Sequence, residues 1–155
     1  MTIMTLEEEI KSRFQNEYHK LEVNIFYTQY HINRQLHELM KPFGITNQQY
    51  NILRILRGQY PNPANVNLLI ERMLDKMSNA SRLVEKLRLK GYVRKAVNPS
   101  DKRNADIWIT DDGLQLLEDM APAIDNHVDR MKVLSLEEAQ HLNNLLDKVR
   151  EASSV

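Results

Sequence analysis

The sequence predicts a mainly α-helical fold carrying one small β-hairpin. Three observations lead there. Helix-start signatures recur ahead of apolar runs of helical period, the period shortens to two only after Gly91, and turn residues cluster between the resulting strands. The 155 residues, 42% hydrophobic and 27% charged, suit one domain of ordinary size or a small domain with helical extensions.

Thr5 and Glu8 have the spacing of a capping box, in which hydroxyl and carboxylate each satisfy a free backbone N–H at a helix start. From there to about Met40 no Gly or Pro intervenes. Leu6, Ile10, Phe14, Tyr18, Leu21, Ile25, Ile32, Leu36 and Leu39 recur at helical spacing, so one long helix, straight or bent, is expected. Pro42, Phe43 and Gly44 break the chain, and Thr46 with Gln49 forms a second capping box, with Ile45 and Tyr50 at the staple positions. That helix is expected to reach about Leu56. Gly58 to Asn65, holding Pro61 and Pro63, is read as a loop, and Asn67 as the cap of a short helix LLIERML.

Asp75 or Lys76 then marks a tight turn into a basic amphipathic helix, KMSNASRLVEKLRLK, which Gly91 terminates. On a helical wheel Ala80, Leu83, Val84 and Leu87 share one side. Ser78, Arg82, Glu85 and Leu89 share the other, flanked by Ser81 and Lys86. Tyr92 to Val97 and Ala105 to Thr110 read as strands around the loop NPSDKRN, a hairpin with a basic tip. Thr110 caps a further helix to about Met120, Pro122 permits or starts another, and Ser135 with Glu138 gives a last capping box before LLDKVRE.

Formal net charge is zero, so any attraction to a polyanion depends on where charge sits. Between Lys76 and Arg103 stand nine Lys or Arg against two acids, a local charge of +7 that leaves −7 for the remainder. A basic helix beside a basic hairpin is what a protein needs to read a duplex groove and grip the adjoining phosphates. Two helices joined by a short turn, the second exposed, form a helix-turn-helix, and the hairpin is its wing. Ser78, Ser81 and Arg82 lie where recognition helices meet base edges, and Arg82 suits a bidentate contact with guanine. Asn79 reaches either a phosphate or a base. Glu85 accepts from a cytosine amino group or, the preferred reading, holds Arg82 or Lys86 in place. Lys102, Arg103 and Asn104 form a loop tip able to enter a minor groove, with Asp101 fixing a nearby Arg. The bland alternatives are a solvated charge run and a hairpin edge guarded by Lys and Arg.

From about Gly44 to Leu117 the chain resembles the multiple-antibiotic-resistance regulator (MarR) family of winged helix-turn-helix transcription factors. GITNQQYNIL looks like the family's second helix, SNASRLVEKLRLKGYV like its recognition helix and first wing strand, and NPSDKRNADIWITDDGLQLL like its wing and following helix. The most specific parts are Asp101-Lys102-Arg103 and Ile109 to Leu114. One departure is visible: Leu74-Asp75-Lys76 lacks the Gly common in that turn. The resemblance implies that Ser78, Asn79, Ser81 and Arg82 enter the major groove and Arg103 the minor groove. It also implies a homodimer joined through its terminal helices and acting as a ligand-responsive repressor on a palindromic operator. Its effector pocket, for a small anionic or phenolic ligand, would lie near Tyr27, Tyr30, His31, His37 and Phe43.

The expected organisation is therefore an N-terminal dimerisation helix over 1–40, a DNA-binding domain over 41–120 and C-terminal dimerisation helices over 121–155. Leu6, Ile10 and Phe14 with Leu136, Leu142, Leu145 and Val149 are the interface candidates; an intramolecular bundle is their alternative. The absence of cysteine excludes disulfides, thiolate metal sites and thiol redox sensing. No phosphate-cradling glycine loop, no His-Glu-x-x-His and no tight histidine spacing point to an enzyme, a cofactor or a metal site. The acidic N-terminus and lack of a long apolar run predict a cytoplasmic chain without a membrane span. The competing function is a winged-helix adaptor that binds protein rather than DNA.

Overall fold

The computed structural model describes residues 4–152, so the extreme ends of the two expected terminal segments lie outside the described residues. Seven α-helices and one hairpin follow in chain order among them: α1 (Leu6–Ile10), α2 (Glu17–Met40), α3 (Asn47–Gln59), α4 (Val66–Arg72), α5 (Ala80–Leu89), β1 (Val93–Val97), β2 (Ala105–Ile109), α6 (Asp111–Asp129) and α7 (Leu136–Ala152). No described helix is long and apolar enough to cross a membrane.

The long N-terminal helix expected from the apolar period is two helices. The Thr5–Glu8 capping box starts α1 as expected, but Lys11 turns into the left-handed region at φ 52°. Asn16 then begins α2, its Oδ1 accepting from the Tyr18 and His19 N–H groups at 3.0 Å. A side-chain acceptor offered to two free N–H groups starts a new helix at Asn16, a local preference that periodicity does not register. The Lys20 ammonium meets the Glu7 carboxylate at 2.7 Å, joining α1 to α2.

The capping box of α3 forms as read, with Gln49 N–H on Thr46 Oγ1 at 3.2 Å and Thr46 N–H on Gln49 Oε1 at 3.0 Å. The helix continues past Leu56 through Gly58 to Gln59. Asn65, not Asn67, caps α4, accepting from Leu68 N–H at 2.9 Å. The basic helix starts later than expected, at Ala80 with Asn79 as its cap, so residues 76 to 79 belong to the preceding turn. That turn needs no glycine. Lys11 is the only described non-glycine residue with positive φ, and the missing Gly is replaced by tethers: Leu74 N–H donates to Asn51 Oδ1 of α3 at 2.9 Å, and the Lys76 ammonium donates to the Ile70 and Glu71 carbonyls at the end of α4.

Gly91, at φ 80°, ends α5. Its N–H reaches Arg88 O at 2.9 Å while Tyr92 N–H reaches Leu87 O at 3.0 Å, the paired bonds of a Schellman motif. The chain enters an antiparallel hairpin in which Val93 pairs with Ile109, Lys95 with Ile107 and Val97 with Ala105. Ala64 adds a one-residue bridge to Ile107, bonded in both directions at 2.8 and 2.9 Å. Val93, Ile107 and Ile109 are buried, whereas Val97, expected on the same face, is exposed toward the wing tip.

α6 runs unbroken through Pro122, where a helix boundary was expected. Leu116, Leu117 and Met120 before the proline and His127 after it are buried, so packing on both sides holds the continuation. The core gathers Met40, Ile45, Ile52, Leu53, Leu56, Leu69, Met73, Ala80, Val84, Leu87 and the hairpin residues into one cluster. Each fully buried Leu or Ile there contributes roughly 1.5–3 kcal/mol relative to exposure. By contrast α7, opened by the Ser135–Glu138 capping box, buries none of its own residues.

Candidate nucleic-acid interface

The helix-turn-helix is built from α4, the tethered turn and α5. Ala80, Val84 and Leu87 are buried against α3 and α4, with Leu83 partly buried beside them, which is the apolar side expected from the wheel. Burying that side fixes the roll of α5. Ser81, Arg82 and Lys86 are thereby left exposed, and the Arg82 and Lys86 side chains have no partner among the described residues.

Two of the residues expected on the reading face are engaged in the fold. Ser78 is in the turn, and its hydroxyl donates to Asp75 Oδ2 at 2.7 Å. Asn79 Oδ1 accepts from Arg82 N–H at 3.0 Å as the helix cap. Asp75 also accepts from Met77 N–H at 3.0 Å. The Ser78 hydroxyl first, then the Met77 N–H, hold the Asp75 carboxyl below its usual range, with Gln48 contributing. An exposed acid in the turn is thus satisfied internally.

Glu85 does not hold Arg82 or Lys86. Its carboxylate takes Arg88, with Nη2–Oε1 at 2.7 Å and Nε–Oε2 at 3.0 Å. That guanidinium, more than the nearby Lys95, keeps the Glu85 carboxyl below its ordinary value.

The wing tip is ordered by its own side chains. Asn98 Oδ1 accepts from Ser100 and Asp101 N–H at 2.8 and 2.9 Å, while Asn98 Nδ2 donates to Asp106 at 2.9 Å. Asp101 accepts from Arg103 N–H at 3.1 Å, from Arg103 Nε at 3.3 Å and from Asn104 Nδ2 at 2.9 Å. The Arg103 side chain is nevertheless 92% exposed, so it is oriented rather than neutralised. Lys102 is exposed and has no described partner. At the base of the wing Arg94 stacks over the Trp108 ring, 4.0 Å from its centroid.

The five residues expected at an effector pocket do not line one cavity. Tyr27 and His31 line a cleft of about 580 Å³ between α1 and α2, their rings edge to face at 4.5 Å. Burial, then the hydrogen bond and charge of Glu9, raise the Tyr27 phenol above its usual value. Tyr30 touches His31 at 5.6 Å but is mostly exposed, His37 is exposed, and Phe43 packs against the core. A second cleft, about 510 Å³, opens between α2 and α6, where His31, Arg34 and Glu38 face His127 and Arg130. His127 is 7% exposed, and Arg130 donates to Gln35 at 3.4 Å. Arg34, His127 and Arg130 were not singled out from the sequence. The spacing of His31, Arg34, Gln35 and Glu38 on one helical face was a usable signal; the contribution of α6 was not.

Residues 43–104 match the family model described as MarR family. The chain is 28% identical over 120 residues to the multiple antibiotic resistance protein MarR of Salmonella typhimurium, covering 76% of this chain and 81% of that protein. Among solved structures, a mutant MarR from E. coli complexed with operator DNA aligns with TM-score 0.77 and 26% identity, covering 89% of this chain and 99% of that one. A MarR family transcriptional regulator from Streptomyces coelicolor in complex with DNA aligns with TM-score 0.80 and 22% identity, covering 93% and 92% respectively.

Proposed function

We propose that this chain, whose residues 43–104 match the MarR family model and whose fold aligns with that of a MarR–operator DNA complex, is a sequence-specific, double-stranded DNA-binding transcriptional regulator, working as a homodimer on a palindromic operator. The carrying observation is the set of exposed cations on α5 and the wing. Arg82, Lys86 and Lys102 lack protein partners among the described residues, and Arg103 is held but open to solvent. A chain of zero net charge that concentrates +7 over residues 76–103 presents a polyanion-binding strip on a body that repels misplaced contact. Ser81 and Arg82 are the base-edge readers in this reading. Lys86, Lys102, Arg103 and Asn104 grip phosphate or the minor groove. Ser78 and Asn79 shape the helix entry and offer their remaining polar atoms.

Dimerisation is supported by α7, which leaves Leu136, Leu142 and Leu145 exposed along one amphipathic helix, and by exposed Phe26 and Tyr30 on α2. A helix that buries none of its own residues suits association with a second copy. Release by a small anionic or phenolic effector, and hence repressor behaviour in the cytoplasm, is supported by the cleft holding Arg34 and Arg130 between the long helix and α6.

Selection from a random duplex pool tests the reading. The expected product is a two-fold symmetric sequence whose half-sites lie about 10 base pairs apart. A pool that remains unenriched, from protein shown to be folded, overturns it. In sedimentation the natural chain is expected to be a dimer and Leu142→Glu with Leu145→Glu to give monomers; a monomeric natural chain would remove the homodimer from the proposal, and a variant dimer of unchanged stability would remove α7 from its interface.

A further inference from the structure

We propose that Met77 is a specificity-determining residue that reads the C5-methyl group of a thymine in the major groove. This deepens the DNA-reading proposal above and rests on it.

The turn that delivers α5 has most of its side chains committed to the fold. The Asp75 carboxylate holds Met77 N–H and the Ser78 hydroxyl, the Lys76 ammonium is folded back onto the carbonyls ending α4, and Asn79 caps the helix through Arg82 N–H. Met77 and, at the far end of the turn, Leu74 are the exceptions. The Met77 side chain is 94% exposed although its backbone is pinned at 3.0 Å to Asp75, two residues before the helix cap. An apolar side chain left in water on a restrained turn gains free energy only from a partner that covers it. Recognition helices place their N-terminal end against base edges, and the thymine methyl is the apolar group that the major groove offers there. The unbranched, polarizable thioether adapts to such a contact without demanding a single geometry. Arg82, one helical turn on and exposed, supplies the neighbouring hydrogen-bond reading. Leu74 is also exposed, at 89%, but is tied through its N–H to Asn51 of α3 and stands three residues farther from the helix start. It serves as the control.

The experiment uses the full chain and the best duplex from the random-pool selection. Each thymine is replaced singly by deoxyuridine, which removes the methyl and leaves the hydrogen-bonding edge intact. One position per half-site is expected to lose roughly fourfold in affinity, the worth of one buried methyl-sized group. Met77→Ala is expected to lower affinity for the thymine duplex by a similar factor and to abolish the uridine penalty; Leu74→Ala should leave that penalty in place. Thermal melting confirms that both variants fold. If a duplex is bound but uridine is tolerated everywhere, or the penalty survives in Met77→Ala, the assignment to Met77 is overturned while DNA reading stands. If folded protein binds no duplex at any salt concentration, both fall.

Discussion

Glu85 closes a two-point ion pair on Arg88, 2.7 and 3.0 Å long, and leaves Arg82, equally three residues away, without a partner. The choice has a physical direction: on a helix, an acid placed N-terminal to its basic partner is the better arrangement. One arginine of α5 is thereby neutralised and another left free, so the helix presents a defined charge rather than a general basic surface.

Replacing Glu85 with Gln is expected to change the melting temperature little, because the pair is half-exposed and solvent screens it. Duplex affinity should instead rise, and its dependence on salt steepen, as Arg88 becomes available to phosphate. Binding isotherms at several salt concentrations read both quantities, and weaker binding by the variant would contradict the confinement of Glu85 to neutralising Arg88.

Asn79 is a cap before it is a contact. Asn79→Ala removes the acceptor of Arg82 N–H, and the expected cost is about 1 kcal/mol in urea unfolding. Asn79→Asp, which keeps the acceptor, should restore stability while its added negative charge weakens duplex binding. Unchanged stability in the alanine variant would show that the cap contributes nothing.

Gly113 lies where the wing meets α6. A Cβ built on it would stand 2.4 Å from the Tyr92 carbonyl oxygen and 2.7 Å from Ile109 Cγ1. Because the nearer atom is backbone, Gly113→Ala must push β1 away from the helix start, at an expected cost of about 1–3 kcal/mol. The same oxygen accepts from Thr110 N–H at 3.1 Å, so amide exchange at Thr110 should accelerate in the variant. Wild-type exchange there would contradict this close approach.

Acid should loosen the turn and the start of α7. Asp75 and Glu138 titrate below their ordinary values, the first through Ser78 and Met77, the second through the backbone N–H and hydroxyl of Ser135. For carboxyls depressed by folding, the stabilisation is complete above the unfolded value near pH 4 and is lost as pH falls through the lower folded values. Each effect is small because these groups are exposed to solvent. Urea unfolding between pH 6 and 2.5 should show stability declining below about pH 4, with a shallower decline in Ser78→Ala, which lacks the main donor to Asp75. Equal slopes in the two proteins would contradict the role given to that hydroxyl.

Where two side-chain atoms decide a helix start, as at Thr46 with Gln49 or Ser135 with Glu138, the reading of residues met the structure. The hairpin was equally legible, since its period and turn chemistry are local. What stayed hidden were choices among equivalent neighbours. Asn65 and Asn67 both suit a cap, and Asp75 and Asn79 both suit the approach to α5, but packing of Leu69 and Ala80 selects the first and the last. Asn16 splits the N-terminal helix within an unbroken apolar pattern, and burial around Pro122 carries α6 through a residue that ordinarily ends helices. Within the candidate interface the exposed cations were readable from charge and wheel position; the internal duties of Ser78 and Asn79 were not, because they depend on where the turn closes.

The most direct measurement is duplex affinity as a function of salt for the natural chain and for Arg82→Glu with Arg103→Glu. For the natural chain, the logarithm of affinity should fall linearly with the logarithm of salt, by about 0.9 for each phosphate neutralised. Charge reversal at the two arginines should weaken binding strongly and flatten that line. Affinity and slope left unchanged in the double variant would contradict the claim that the exposed arginines of α5 and the wing carry DNA recognition.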